Sequence, residues 1–249
     1  NWAPDGSHLL VNAGGRLYRV DLDAPDLVPV DTGGHQMLNN DHGISPDGQW
    51  IAFSDKTETG SKSCIYIMPA SGGEPRRVTH LVPSWFHGWA PDGAAITYTC
   101  VRDGLFGIAT LALADMSETI VIAGRGHYDG PDYTCDGNWI WFNSDCGGAM
   151  DLWRIRPDGT GARQMTDSDR VEWFPHPSPD GAHVLYLSYP HGTENHPFGL
   201  PVELHLKPQD GNASRRLLSL FGGQGTLNVP SWSPDGRRFA FVRYFENDQ

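Results

Sequence analysis

Cysteine is scarce in this 249-residue chain: Cys64, Cys100, Cys135 and Cys146 are too few and too scattered for a disulfide scaffold, and none sits in the CxxC spacing of a zinc site. They read as reduced thiols. Basic charge is short as well, with 18 Lys and Arg against 30 Asp and Glu and a formal charge of −12 with His neutral. Such a chain repels phosphate backbones and has no basic patch for a membrane surface, so no nucleic acid and no membrane is expected as a partner. No apolar run approaches the ~18 residues needed to cross a bilayer. Residues 1–7 read as a turn, not as a basic stretch followed by an apolar one, so no secretion signal is visible. A soluble protein of the cytoplasm or periplasm is expected. Three enzyme signatures are also missing. There is no GxSxG nucleophile elbow, no GxxxxGKS/T phosphate loop and no GxGxxG following a strand. No stretch shows a convincing helical period.

Apolar and aromatic residues are plentiful, at 39% and 11% of the chain, with 30 Gly and 19 Pro, which is the composition of a folded protein rich in turns. One phrase returns along nearly the whole length: NWAPDGSHLLV, GISPDGQWIAF, GWAPDGAAITY, DYTCDGNWIWF, HPSPDGAHVLY and SWSPDGRRFAF. Anchored on Asp5, Asp47, Asp92, Asp136, Asp180 and Asp235, the spacings are 42, 45, 44, 44 and 55 residues, the length of about four short strands. In each Pro-Asp-Gly anchor, Pro presets φ, Asp bonds back to the backbone and Gly accepts φ > 0, so a tight hairpin is expected. The strand after it is apolar on successive residues, as in Trp50-Ile51-Ala52-Phe53 and Trp139-Ile140-Trp141-Phe142. Both of its faces must be covered. A third strand (65–68, 152–155, 202–206) and a fourth (77–79, 164–166) follow, joined by Gly-rich hairpins. Four antiparallel strands, buried on both faces and repeated radially, make a propeller blade.

The WSPDG repeat, fullest at residues 232–236, resembles that of TolB-like six-bladed β-propellers, also called WD40-like, and specifically the small stand-alone bacterial members. Phrases outside the repeat resemble theirs too: Asn39-Asn40-Asp41-His42-Gly43, Phe86-His87-Gly88-Trp89, Asp129-Gly130-Pro131-Asp132-Tyr133, Trp173-Phe174-Pro175-His176-Pro177 and Phe221-Gly222-Gly223-Gln224-Gly225. The resemblance implies an all-β, six-bladed propeller of four-stranded antiparallel blades as one domain over residues 1–249. Its sixth blade is expected to be incomplete, because the chain stops thirteen residues after Gly236, leaving that unit only its first two strands, and begins inside the innermost strand of its first unit. About 30 residues of the closing blade are expected to lie before Asn1, and the strand 237–244 is expected to present an edge able to pair with another molecule.

On the family layout the turns lie on one face, and the lead-in to each innermost strand lies at the channel mouth on the other. That places Asn40, Asp41, His42, His87, Asp129, Asp132, His176, Gln224 and Asn228 around the mouth as binding candidates. His42, His87 and His176 read either as a cluster able to hold a divalent metal (Mn, Ca or Zn), or as partly solvated polar residues bonding neighbouring blades. A long insertion at 188–197 overhangs the same face, with His191, Glu194 and His196 as rim candidates; a tolerated polar loop is the alternative. Trp85, Phe86, Trp173 and Phe174 enter the same segments and could stack on a sugar ring or simply pack. The resemblance implies a binding scaffold that recognises a protein segment or a small anionic or saccharide ligand. The repeat is also similar to that of oligogalacturonate lyases, which hold a divalent metal through His and Gln. That similarity implies a metal-assisted carbohydrate-active enzyme with His42, His87, His176 and Gln224 as ligands.

Overall fold

All six Pro-Asp-Gly-type turns form, and they close the same way. The anchor carboxylate accepts the backbone N–H two residues on, as in Gln49 to Asp47 at 3.0 Å and Ala182 to Asp180 at 2.9 Å. The glycine sits in the left-handed region each time, from φ 67° at Gly236 to 76° at Gly6, where a Cβ is strained. The computed structural model describes residues 1–211 and 213–245. Among these no helix is long and apolar enough to cross a membrane.

Between the turns the strands assemble into antiparallel sheets. Blade 1 holds β1 (His8–Ala13), β2 (Arg16–Asp21) and β3 (Val28–Pro29). Blade 2 holds β4 (Leu38–Ile44), β5 (Trp50–Asp55), β6 (Cys64–Pro69) and β7 (Arg76–Arg77). Blade 3 follows with β8 (Ser84–Trp89), β9 (Ala95–Arg102), β10 (Leu105–Ala112) and β11 (Glu118–Gly124). Blade 4 has β12 (Tyr128–Tyr133), β13 (Ile140–Ser144), β14 (Asp151–Ile155) and β15 (Arg163–Gln164). Blade 5 has β16 (Val171–Pro177), β17 (His183–Tyr189), β18 (Phe198–Pro208) and β19 (Arg215–Gly223). As the apolar runs require, Ile51, Ala52 and Phe53 are buried on both faces of β5, and Ile140, Trp141 and Phe142 on both faces of β13.

The innermost strands β4, β8, β12 and β16 pack in succession around the axis, and β1 packs against β4. Glycine permits the close approach: a Cβ on Gly43 would lie 2.9 Å from Phe86 Cε1, and one on Gly88 would lie 2.9 Å from Asp132 Oδ1. Apolar side chains fill each seam, for example Phe53, Tyr66 and Met68 between blades 1 and 2, and Trp141, Leu152 and Tyr186 between blades 4 and 5.

The propeller has five blades, which corrects the expectation of six with an incomplete sixth. The sixth repeat forms its turn, but its pairing is reduced to a single bridge, Trp232 to Phe239. Two short segments with no third strand beside them cannot sustain a sheet. The N–H groups of Val242 and Tyr244 instead donate to the carbonyls of Thr226 (3.0 Å) and Phe221 (3.1 Å), so residues 224–244 run as a strap against blade 5. Trp232 and Phe239 pack on that blade's core. The strap also reaches blade 1, where Asn1 Nδ2 donates to the Pro230 carbonyl at 2.9 Å. At the innermost position of blade 1 the chain makes one bridge, Trp2 to Leu9.

Candidate functional site

Asp129 is the hub of the channel mouth. It lies near the start of β12, and its side chain is 13% exposed. Oδ1 accepts hydrogen bonds from Thr99 Oγ1 at 2.8 Å and Gly130 N at 2.9 Å, and stands 3.0 Å from His87 Nε2. Oδ2 lies 3.5 Å from His127 Nε2 and 3.6 Å from His196 Nε2. Three imidazoles from β8, the β11–β12 turn and the blade 5 insertion thus converge on one carboxylate.

The electrostatics follow from this arrangement. Burial opposes the charge on Asp129, yet the His127 and His87 hydrogen bonds hold its carboxyl well below the ordinary range. Burial alone would lower His87, but the Asp129 hydrogen bond and the charges of Asp41, Asp129 and Asp132 raise it above the ordinary imidazole value. Burial pushes the Asp41 carboxyl up to about 6, against the pull of His87. His196 is lowered by burial despite Asp129. The Nδ1 atoms of His87 and His196 are both buried without a hydrogen-bond partner, and such a group costs free energy until it finds one.

These groups surround a cavity of about 230 Å³, lined among others by Asn39, Asn40, Asp41, Gln224 and Asn228. One wall is a ladder of rings. Trp85 stacks on Phe106 (6.3 Å between centroids, 10° between planes), and Phe106 on His127 (4.4 Å, 25°). Phe174, at φ 55°, closes the floor beside His196, 5.2 Å between ring centroids.

Of the residues singled out in the sequence, Asn40, Asp41, His87, Asp129, Gln224, Asn228 and His196 meet at this cavity, the last from the insertion expected only at the rim. His42, Asp132 and His176 do not line it. His42 is set against the carbonyls of Asn40 (3.0 Å) and Leu10 (3.1 Å), and burial lowers it to about 3. His176 faces the Leu227 carbonyl at 2.9 Å and Asp132 Oδ2 at 3.1 Å. These histidines join blade to blade or blade to strap. Among the described residues no group of three or more His, Cys, Asp or Glu is arranged to hold a metal ion, so His42, His87 and His176 do not form the expected metal triad. His191 and Glu194 line a neighbouring cavity of about 530 Å³. Trp85 and Phe174 reach the cavity, whereas Phe86 and Trp173 are buried in the seams. His127, Thr99 and Phe106 are cavity residues that sequence reasoning missed. The legible signal was the i, i+2 spacing of His127 and Asp129, which puts both on one side of an extended strand.

The two acids give opposite pH signatures. Asp41 and His87 are both raised on folding, so the stability they supply is present at low pH and lost as pH rises, for Asp41 between about 4 and 6. Asp129 is lowered, so its contribution is lost on acidification below about 4. Asp41→Asn is therefore expected to gain on the wild type by up to about 3 kcal/mol between pH 4 and 7.5, two units at 1.36 kcal/mol each. Urea midpoints at both pH values read this directly, and parallel pH profiles would refute the assignment.

No family model matches the chain. The uncharacterized protein Atu1656 of Agrobacterium fabrum is 50% identical over 246 residues, 98% of this chain and 84% of that protein. A solved structure from Agrobacterium tumefaciens, named provisionally as a TolB, superposes with a TM-score of 0.97 at 50% identity, covering 99% of this chain and 89% of that one. TolB from Acinetobacter baumannii matches at a TM-score of 0.73 and 19% identity, over 92% of this chain and 56% of its own. An oligogalacturonate lyase in complex with manganese matches at 0.63 and 16%, over 88% of this chain and 64% of its own. These last two show the fold alone. Half the residues being shared along nearly the full length, the chain belongs to the family of Atu1656, whose fold is the TolB-like β-propeller.

Proposed function

We propose that this protein is a binding propeller whose channel-mouth cavity takes one sugar unit of a saccharide. The reading rests on one observation: the unpartnered, buried Nδ1 of His87, on an imidazole paired with Asp129 at 3.0 Å, beside a ladder of aromatic rings. A sugar offers what this wall lacks. Its hydroxyls accept from the imidazole and donate to the Asn40, Asn228 and Asp41 oxygens, while its C–H face lies on an aromatic ring. The ionised Asp129 disfavours a small anion in the same place. At about 230 Å³ the cavity is below the usual range for drug-sized ligands, about 300–1,000 Å³, and suits a single ring. Asp129 Oδ1 already accepts from Thr99 and Gly130 and stands against His87, so this carboxylate positions the histidines and the arrangement favours binding over proton abstraction. No specific feature favours the metal-assisted lyase reading.

Millimolar neutral sugars, screened by thermal shift, are expected to raise Tm, and uronic acids, as the anionic comparison, are expected to raise it less. His87→Gln is expected to weaken the best binder by about tenfold, the upper end of the range for a single hydrogen bond. No shift with any sugar, or equal affinity in His87→Gln, would defeat the proposal. A shift produced only by a peptide would assign the mouth to a protein segment instead.

A further inference from the structure

The opposite face of the disc carries a second concavity, independent of the channel mouth. The cleft between blades 2 and 3 has a volume of about 820 Å³, and Trp50, 44% exposed, lies in its wall with Trp89, Ile67 and Pro69. Three carboxylates, Asp47, Glu74 and Asp92, stand around it against one cation, Arg76.

The repeat supplies an internal comparison that identifies the missing occupant. Trp50 lies three residues after the anchor Asp47, and Trp139 lies three residues after the anchor Asp136. In blade 4 the Trp139 ring is covered by two guanidinium groups, Arg154 at 4.5 Å and Arg156 at 5.0 Å from its centroid. Arg154 pairs across the sheet with Trp141, the residue five after its anchor; in blade 2 the residue five after the anchor is Ala52, and it pairs with Ile67. Ile67 and Pro69 therefore occupy the places that Arg154 and Arg156 hold in blade 4. Trp2 is likewise covered by Arg238, at 5.1 Å. Among the described residues no cationic group lies over Trp50.

We propose that the cleft between blades 2 and 3 docks an arginine side chain of a partner protein, its guanidinium on the Trp50 ring and its charge met by Asp47, Glu74 and Asp92. The partner supplies in trans the contact that blade 4 makes within the chain. Arginine is favoured over lysine because its planar, weakly hydrated head stacks on an aromatic face.

The test is titration of acetyl-tetra-arginine-amide at physiological salt, where exposed charges more than about 8 Å apart are largely screened, with the tetra-citrulline peptide as the uncharged isostere. The wild type is expected to bind the arginine peptide and not the citrulline one. Trp50→Ala is expected to weaken binding about tenfold, in line with a desolvated cation–π contact. Pro69→Arg, which restores inside blade 2 the one guanidinium that Arg156 supplies in blade 4, is expected to do the same while leaving the unfolding midpoint unchanged or higher. Equal binding by wild type, Trp50→Ala and Pro69→Arg would reduce the effect to net charge and overturn the proposal. Equal binding of the citrulline peptide, or no binding by the wild type, would overturn it as well.

Discussion

Replacing Asp129 by alanine is expected to lower folding stability by about 3–5 kcal/mol at pH 7, the usual result of stripping one partner from a buried ion pair. The loss has identifiable parts. His87 would remain buried with its Nε2 unanswered, and the Thr99 hydroxyl and Gly130 N–H would lose their acceptor. Burial is the largest influence on His87 and it lowers the imidazole. Without Asp129 burial is expected to lower the imidazole, so the wild type's advantage over the variant narrows as pH rises through the His87 titration. Asp129→Asn keeps the shape and two acceptor contacts and is expected to fall between the two proteins. Urea unfolding of all three, with a His87 titration followed by NMR, separates these contributions. A loss below about 1 kcal/mol, the scale of an exposed pair, would mean that the carboxylate is not the hub described.

Trp141→Ala is expected to cost about 3–5 kcal/mol, the usual range for deleting a large buried aromatic. Its ring is fully buried in the seam between blades 4 and 5, packed on Leu152, Met165, Val184 and Tyr186. It also shields two cations, with Lys207 Nζ at 5.1 Å and the Arg154 guanidinium at 6.0 Å from the centroid. Trp141→Phe distinguishes volume from chemistry. It keeps a π face and removes an indole N–H that has no partner, so its cost is expected to stay within about 1.5 kcal/mol. If both variants lost the same amount, packing against the seam would not explain the stability.

The strands were readable because each rests on a local rule. Pro-Asp-Gly permits one kind of turn, and an unbroken apolar run such as Ile140-Trp141-Phe142 can only be a strand covered on both sides. Blade number was a different matter. Six anchors are present, but a blade needs lateral partners, and the last anchor's chain turns back onto Thr226 and Phe221. The site was legible as a neighbourhood and not as a constellation. His42 and His87 share a place in the repeat, yet one meets backbone carbonyls and the other a carboxylate. Every inner strand from β4 to β16 carries a register irregularity, between Leu38 and His42, Phe86 and Gly88, Asp129 and Asp132, and Trp173 and His176. One slipped residue exchanges the sides on which side chains emerge. Counting from the anchor therefore cannot say which imidazole looks into the cavity.

The strap has a consequence for whatever enters the mouth. Gln224 and Asn228 belong to it, whereas His87 and Asp129 belong to the sheets opposite, and all four border one small space. A guest that touches both sides stitches the joint of the ring. Occupancy and closure then become two readings of a single equilibrium, and by reciprocity any change that tightens the joint raises affinity by the factor with which the guest tightens the joint.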